Sequence, residues 1–261
     1  SLIRKYLKSG VMENGIYEAT EEGTPQGGNL SPLLSNVMLN ELDKELGRRG
    51  LHYVRYADDC VIAVGSSASA NRVMHTITKW IESRLGLKVN ATKTHVCRPS
   101  QLKYLGFGFY KSSQTKQWTA RPHETSVQKF QRRLKKLTKR SWSISMTERI
   151  KLLNYVIRGW VNYFSIAKMK KKLSEIDAHL RTRLRVIIWK HWKKPGKRAW
   201  GLRKLGVPDE LARKTSLCGD RYQWMVTKTV IVRAISKGVL TRRGLVSCLD
   251  YYTIRHSLKT N

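Results

Sequence analysis

The sequence predicts an α+β fold in its first part and an all-α fold in its second. Two patterns predict this. Short β-prone runs alternate with helical stretches as far as residue 110, and beyond residue 122 the apolar residues recur only at helical spacing. A third observation divides the chain in the same way. Residues 1–99 carry a net charge of +3 and residues 100–261 a net of +30, so a nearly neutral module precedes one suited to gripping phosphate. The expected division is 1–110, a linker at 111–122, and a helical domain at 123–261.

The first helix is predicted over 30–49. Leu30, Leu33, Leu34, Val37, Met38 and Leu42 recur at three- and four-residue intervals, with Ser31 as cap and Pro32 in the first turn. The runs His52–Tyr56 and Cys60–Gly65 flank Ala57-Asp58-Asp59 and read as a hairpin. A second helix is expected over 69–85, with Val73, Ile77, Trp80, Ile81 and Leu85 on one face and Gly86 as its stop. The strand-rich run Lys103–Tyr110 completes a helix–hairpin–helix–hairpin order.

The second part opens with three apolar stripes. They are Val127/Phe130/Leu134/Leu137, Ile150/Leu153/Ile157/Trp160/Phe164, and Leu173/Ile176/Leu180/Leu184/Ile188. Three such helices with basic outer faces suggest a small bundle. Shorter helices are expected at 208–217, 223–237 and 241–252 beyond Pro195-Gly196.

Composition narrows the function. The 261 residues suffice for one large domain or two ordinary ones, and eight Trp with eleven Tyr argue against disorder. The net charge of +33 makes a polyanion the expected partner. No apolar run is long enough to cross a bilayer, and Ser1-Leu2-Ile3-Arg4 is not a signal peptide, so a soluble protein with no membrane partner is expected. The chain also opens without a start signal, so a preceding segment is expected. Cys60, Cys97, Cys218 and Cys248 form no Cys-x-x-Cys pair, which fits free thiols in a reducing cytoplasm better than a zinc site.

Asp58 and Asp59 carry the sharpest chemical signal. Adjacent carboxylates at a hairpin tip repel unless a cation offsets them, and hard oxygen ligands suit Mg²⁺. A pair of such ions can activate a 3′-hydroxyl and stabilise leaving pyrophosphate. An acidic turn in water is the plain alternative. The flanking β-branched and aromatic residues weigh against it, since an ordinary tight turn calls for Gly or Asn. Gly23-Thr24-Pro25-Gln26-Gly27-Gly28 precedes the first helix and would let backbone approach a phosphate at the helix start, or form an ordinary turn.

Together these residues resemble reverse transcriptases, specifically the group II intron maturase branch. Gly23–Leu34 is similar to the Pro-Gln-Gly palm motif, Tyr56–Asp59 to Tyr-x-Asp-Asp, Leu87–Thr94 to the following palm motif, and Leu102–Phe107 to the primer-grip hairpin. Further on, Arg158–Phe164 resembles the Gly-Trp-x-Asn-Tyr signature of the maturase thumb, or domain X. Trp189-Lys190-x-Trp192-Lys193 and Gly238–Tyr252 resemble later parts of domain X. The resemblance implies a partial reverse-transcriptase palm at 1–110 and an all-α thumb/maturase domain at 123–261.

It also implies roles. Asp58 and Asp59 would hold the catalytic Mg²⁺ ions. Pro25, Gln26 and Gly27 would line the nucleotide pocket, with Lys93 near the triphosphate or simply solvated. Leu105 and Gly106 would support the primer end, or simply pack. The family's palm also uses an Asp on an earlier strand, whereas residues 1–22 hold only Glu13, Glu18, Glu21 and Glu22. A third carboxylate from outside this sequence is therefore expected. Without it the two-metal site is incomplete, and the sequence alone is not expected to polymerise.

RNA contact is expected from Lys129, Arg132, Arg133, Lys136, Lys139 and Arg140, and from Arg181, Arg185, Lys190, Lys193, Lys194, Lys197 and Arg198. The second group is interleaved with Trp189, Trp192 and Trp200, a mixture that suits structured RNA. Gly159 is expected to allow close helix packing, and Trp160 with Phe164 to lie in the core. The partners implied are group II intron RNA, a DNA target or primer, and dNTP. Neither a Cys-paired nor a His-Asn-His nuclease is recognisable. Three functions stay open: an RNA-directed DNA polymerase that also serves splicing, an RNA-binding splicing cofactor alone, and a reverse transcriptase recruited to defence or repair.

Overall fold

The computed structural model describes residues 2–8, 10–13, 15–18, 30–219 and 221–260. It divides into two compact units, 1–98 and 99–261.

The first unit begins with a short helix α1 (Leu2–Leu7) and the paired strands β1 (Val11–Glu13) and β2 (Ile16–Glu18). Helix α2 follows over Ser31–Arg48. Its N-cap is Leu30, with no side-chain capping bond. Ser31 therefore lies inside the first turn rather than capping it, alongside the Pro that suits that position. The expected apolar stripe is only partly buried. Leu42 and Leu46 enter the core, whereas Leu33, Val37 and Met38 are exposed. Strands β3 (His52–Tyr56) and β4 (Asp59–Ala63) and helix α3 (Ser67–Trp80) supply the apolar partners, and they cover only the C-terminal half of α2.

Helix α3 is capped by Ser66, whose Oγ accepts from Ser69 N. It runs into a π-helical turn, Ile81–Leu85, and stops at Gly86 in the left-handed conformation (φ +65°). Leu42, Leu46 and Ile77 form the centre of this unit's small core, with Tyr53, Ile62, Val73 and Trp80 around them.

The second unit opens with a three-stranded antiparallel sheet: β5 (Lys103–Tyr104), β6 (Phe107–Lys111) and β7 (Trp118–Pro122). Strand β7 corrects the expected linker at 111–122. Its five residues pair with β6 from Lys111↔Trp118 to Phe107↔Pro122. The polar run before it, residues 112–117, hid a strand whose backbone bonds are satisfied by its neighbour. Accordingly, the sheet belongs to the second compact unit and not to the first.

Helices α4 (Glu124–Leu137), α5 (Met146–Tyr163) and α6 (Lys170–His191) form the bundle that their stripes predict. Val127, Phe130 and Leu134 of α4 meet Leu153, Ile157 and Val161 of α5 and Leu173, Leu180 and Leu184 of α6 in one core. Trp160 stacks on Phe130 with ring centroids 4.4 Å apart and planes 8° apart, and Phe164 is buried, as the core reading of both residues required.

The C-terminal part departs further from expectation. Helix α7 (Pro195–Lys204) lies where no helix was expected, and α8 (Asp209–Ser216) lies where one was. The single helix expected at 223–237 is instead α9 (Tyr222–Met225) and α10 (Thr229–Ala234), with α11 (Lys237–Arg242) starting as it ends. The last expected helix is displaced. Gly244, at φ +91°, ends α11 in a turn, and α12 runs over Cys248–Thr260. Gly159 faces open space, so it serves no close packing. The tight approach occurs at Gly201, where a Cβ would lie 2.5 Å from Trp192.

Candidate catalytic turn and nucleic-acid interface

Strands β3 and β4 are joined by the two-residue turn Ala57-Asp58, with Tyr56 paired to Asp59. Ala57 adopts φ +52°, a left-handed conformation costly for a residue with a Cβ, so the tertiary structure must hold it there. Arg55 does so. Its Nη1 donates to the Ala57 carbonyl (2.7 Å) and to Asn36 Oδ1 (2.9 Å). Its Nε and Nη2 grip both Asp43 carboxylate oxygens at 2.8 and 2.5 Å. The turn is thus tied to two positions on α2 by one half-buried guanidinium. This pairing outweighs burial and holds the Asp43 carboxyl below its usual range. Burial pushes the neighbouring Cys60 thiol up. Sequence reasoning missed Arg55, because a lone Arg in a strand gives no sign of what its side chain reaches.

Asp58 and Asp59 are both exposed, at the apex of the turn and the first position of β4. Residues paired across an antiparallel ladder share a face, so Asp59 stands with the exposed Tyr56 on the side away from Arg55. Two hard oxygen donors so placed fit a divalent cation only in part. Among the described residues no group of three or more His, Cys, Asp or Glu side chains converges. Pro25, Gln26 and Gly27 lie outside the described residues. Lys93 is exposed on a turn organised by Asn90, whose Oδ1 accepts from Thr92 N, Thr92 Oγ1 and Lys93 N.

In the second unit, Leu105 and Gly106 form the two-residue turn between β5 and β6, both with positive φ (+48° and +79°). Three bonds lock it to the bundle. Tyr163 Oη donates to the Leu105 carbonyl (2.9 Å), and Ser126 Oγ and His123 N donate to the Gly106 carbonyl (both 2.9 Å). The turn therefore fixes the sheet to α4 and α5. Asn162, beside Tyr163, accepts from Tyr251 Oη of α12 (3.1 Å). Asp177 holds the start of α12 by accepting from Ser247 Oγ, Cys248 N and Leu249 N at 2.8–3.0 Å.

The expected RNA contacts separate by burial. Lys129, Arg132, Arg133, Lys136, Lys139, Arg140, Lys193, Lys194 and Lys197 are exposed, and Arg181 and Lys190 are half-buried. Arg185 and Arg198 correct the expectation. Both are buried, donating from Nε to the Ile235 carbonyl (3.0 Å) and the Trp192 carbonyl (2.9 Å), at the ends of α10 and α6. Arg149 and Arg183 do the same at the end of α4. Arg149 reaches the Leu137 and Trp142 carbonyls, and Arg183 reaches Thr138 Oγ1 and the Lys135 and Thr138 carbonyls. These arginines answer the orphan carbonyls and negative dipole at helix C-termini. The interleaved tryptophans divide likewise. Trp189 is fully buried under the Arg198 guanidinium and Trp192 is half-buried, so of the three only Trp200 is exposed.

The chain thus joins an exposed carboxylate pair on a hairpin turn to a basic helical bundle, and a known family matches each part. Residues 1–109 match the family described as reverse transcriptase (RNA-dependent DNA polymerase). Residues 127–206 match the group II intron, maturase-specific domain. Together the two matches make the chain similar to group II intron reverse transcriptases/maturases.

Among its relatives, Protein YkfC of Escherichia coli is 32% identical over an alignment covering 37% of this chain and 34% of that protein. Group II intron-encoded protein LtrA of Lactococcus lactis is 29% identical, covering 41% and 28%. Retron Ec86 reverse transcriptase of Escherichia coli is 37% identical, covering 31% and 27%. The chain thus spans about a third or less of the length of these relatives. Among the described residues no helix is long and apolar enough to cross a membrane.

Proposed function

We propose that this chain is the palm-and-thumb portion of a group II intron-encoded protein that binds intron RNA to assist splicing and copies RNA into DNA during intron mobility. The observation that carries the polymerase reading is the exposed Asp58–Asp59 pair on a hairpin turn that Arg55 anchors to α2. Asp58 and Asp59 would hold Mg²⁺, which when bound supplies a Lewis acid for the primer 3′-hydroxyl and for the leaving pyrophosphate. Arg55 is a positioning residue: it fixes the turn backbone and keeps the carboxylates at a set height. Pro25, Gln26, Gly27 and Lys93 would meet the dNTP, and Leu105 with Gly106 would set the sheet that supports the DNA primer.

The exposed cations of α4 and of the segment 193–197 would bind the RNA backbone. A reducing compartment, the bacterial cytoplasm or an organellar matrix, fits the free cysteines. Primer extension and splicing by the intact protein that contains this chain provide the test. Asp58→Ala is expected to abolish DNA synthesis and leave splicing and RNA affinity unchanged. Unaltered synthesis in that variant would remove the polymerase reading, and loss of both activities would show that the turn is structural.

A further inference from the structure

We propose that the groove between α4 and α6 receives a single unstacked RNA nucleotide, with its base on an apolar floor and its phosphate on the basic rim. The inference rests on the RNA-binding reading and assigns it a specific site. The groove has a volume of about 320 Å³, within the range of small-ligand pockets. Buried Leu134, Ile176 and Leu180 make its floor. Its rim is polar and carries no acid: Gln128, Gln131, Arg132 and Lys135 come from α4, and His179 and Arg183 from α6.

The spacing accounts for the arrangement. Gln128, Gln131 and Lys135 lie three and then four residues apart on one face of α4, as Ile176, His179 and Arg183 do on α6. An apolar floor suits the face of a base. Two carboxamides, each with a donor and an acceptor, suit its hydrogen-bonding edge. Arg132 and Lys135 suit the adjoining phosphate. Arg183 is already oriented. Three bonds from Nε and Nη2 fix it to the end of α4, which leaves Nη1 for the ligand. A continuous duplex would keep its bases stacked and offer nothing to the floor, so the preferred ligand is a bulged or looped-out nucleotide.

The test compares an RNA hairpin carrying one bulged 2-aminopurine nucleotide with the same hairpin fully paired, each titrated with the full chain. The bulged hairpin is expected to bind about tenfold tighter, with a fluorescence change at the bulge. Gln128→Ala/Gln131→Ala, at two exposed positions, should erase that preference and leave affinity for the paired hairpin unchanged. Equal binding of the two hairpins, or a preference that survives the double substitution, would overturn the groove assignment and leave general RNA binding standing. Binding of neither hairpin would overturn both.

Discussion

At Gly106 two demands meet in one residue. Its φ of +79° disfavours any side chain, and a Cβ there would lie 3.1 Å from Ser126 Oγ and 3.3 Å from the Phe164 ring. Gly106→Ala is therefore expected to cost about 1–3 kcal/mol, seen as a lower urea midpoint for the second unit. Asp43 and Glu45 give a residue-scale prediction of another kind. Arg55 holds the Asp43 carboxyl low, and Arg48 with Arg49 draw Glu45 down to about 2. A carboxyl depressed by folding stabilises fully above its unfolded value, about 4, and loses that contribution as pH falls through its folded one. The first unit should therefore weaken between about pH 4 and pH 2. Asp43→Asn should lower its stability near neutrality and blunt that acid sensitivity, as read from urea midpoints across the pH series.

At the scale of elements, legibility follows periodicity. α3 to Gly86, α4, α5 and α6 are readable because their apolar residues recur on one face and that face is buried. α7 is not. Its sequence, Pro-Gly-Lys-Arg-Ala-Trp-Gly-Leu-Arg-Lys, is strongly basic, and Pro195-Gly196 reads as a break although Pro suits a first turn. The N-terminal half of α2 misleads in the opposite sense: its period is right, but periodicity does not say what will cover the face. In the candidate site, Asp58 and Asp59 are legible from residue type and neighbours, whereas Arg55 is not.

The helix α4 carries its own prediction. Replacing Lys129, Arg132, Arg133 and Lys136 with Gln should flatten the plot of log affinity against log salt by about 0.7–0.9 for each phosphate that is no longer neutralised. Arg185→Gln or Arg198→Gln should leave that slope alone and lower unfolding stability by about 1–3 kcal/mol. Filter binding across a salt series, paired with denaturation, separates the two groups.

For the whole molecule, the formal charge of +33 overstates what a polyanion can reach. Arg149, Arg185 and Arg198 turn inward and direct donors to the chain's own carbonyls, and Arg183 commits all but its Nη1 to the end of α4. Two populations of arginine should therefore be distinguishable chemically. Phenylglyoxal followed by peptide mass mapping should tag Arg132, Arg133 and Arg140 within the native protein, with bound RNA shielding them. Arg149 and Arg198 should stay unlabelled until the fold opens, whether or not RNA is present. The inner guanidiniums would then report unfolding, and the outer ones occupancy, in a single labelling experiment.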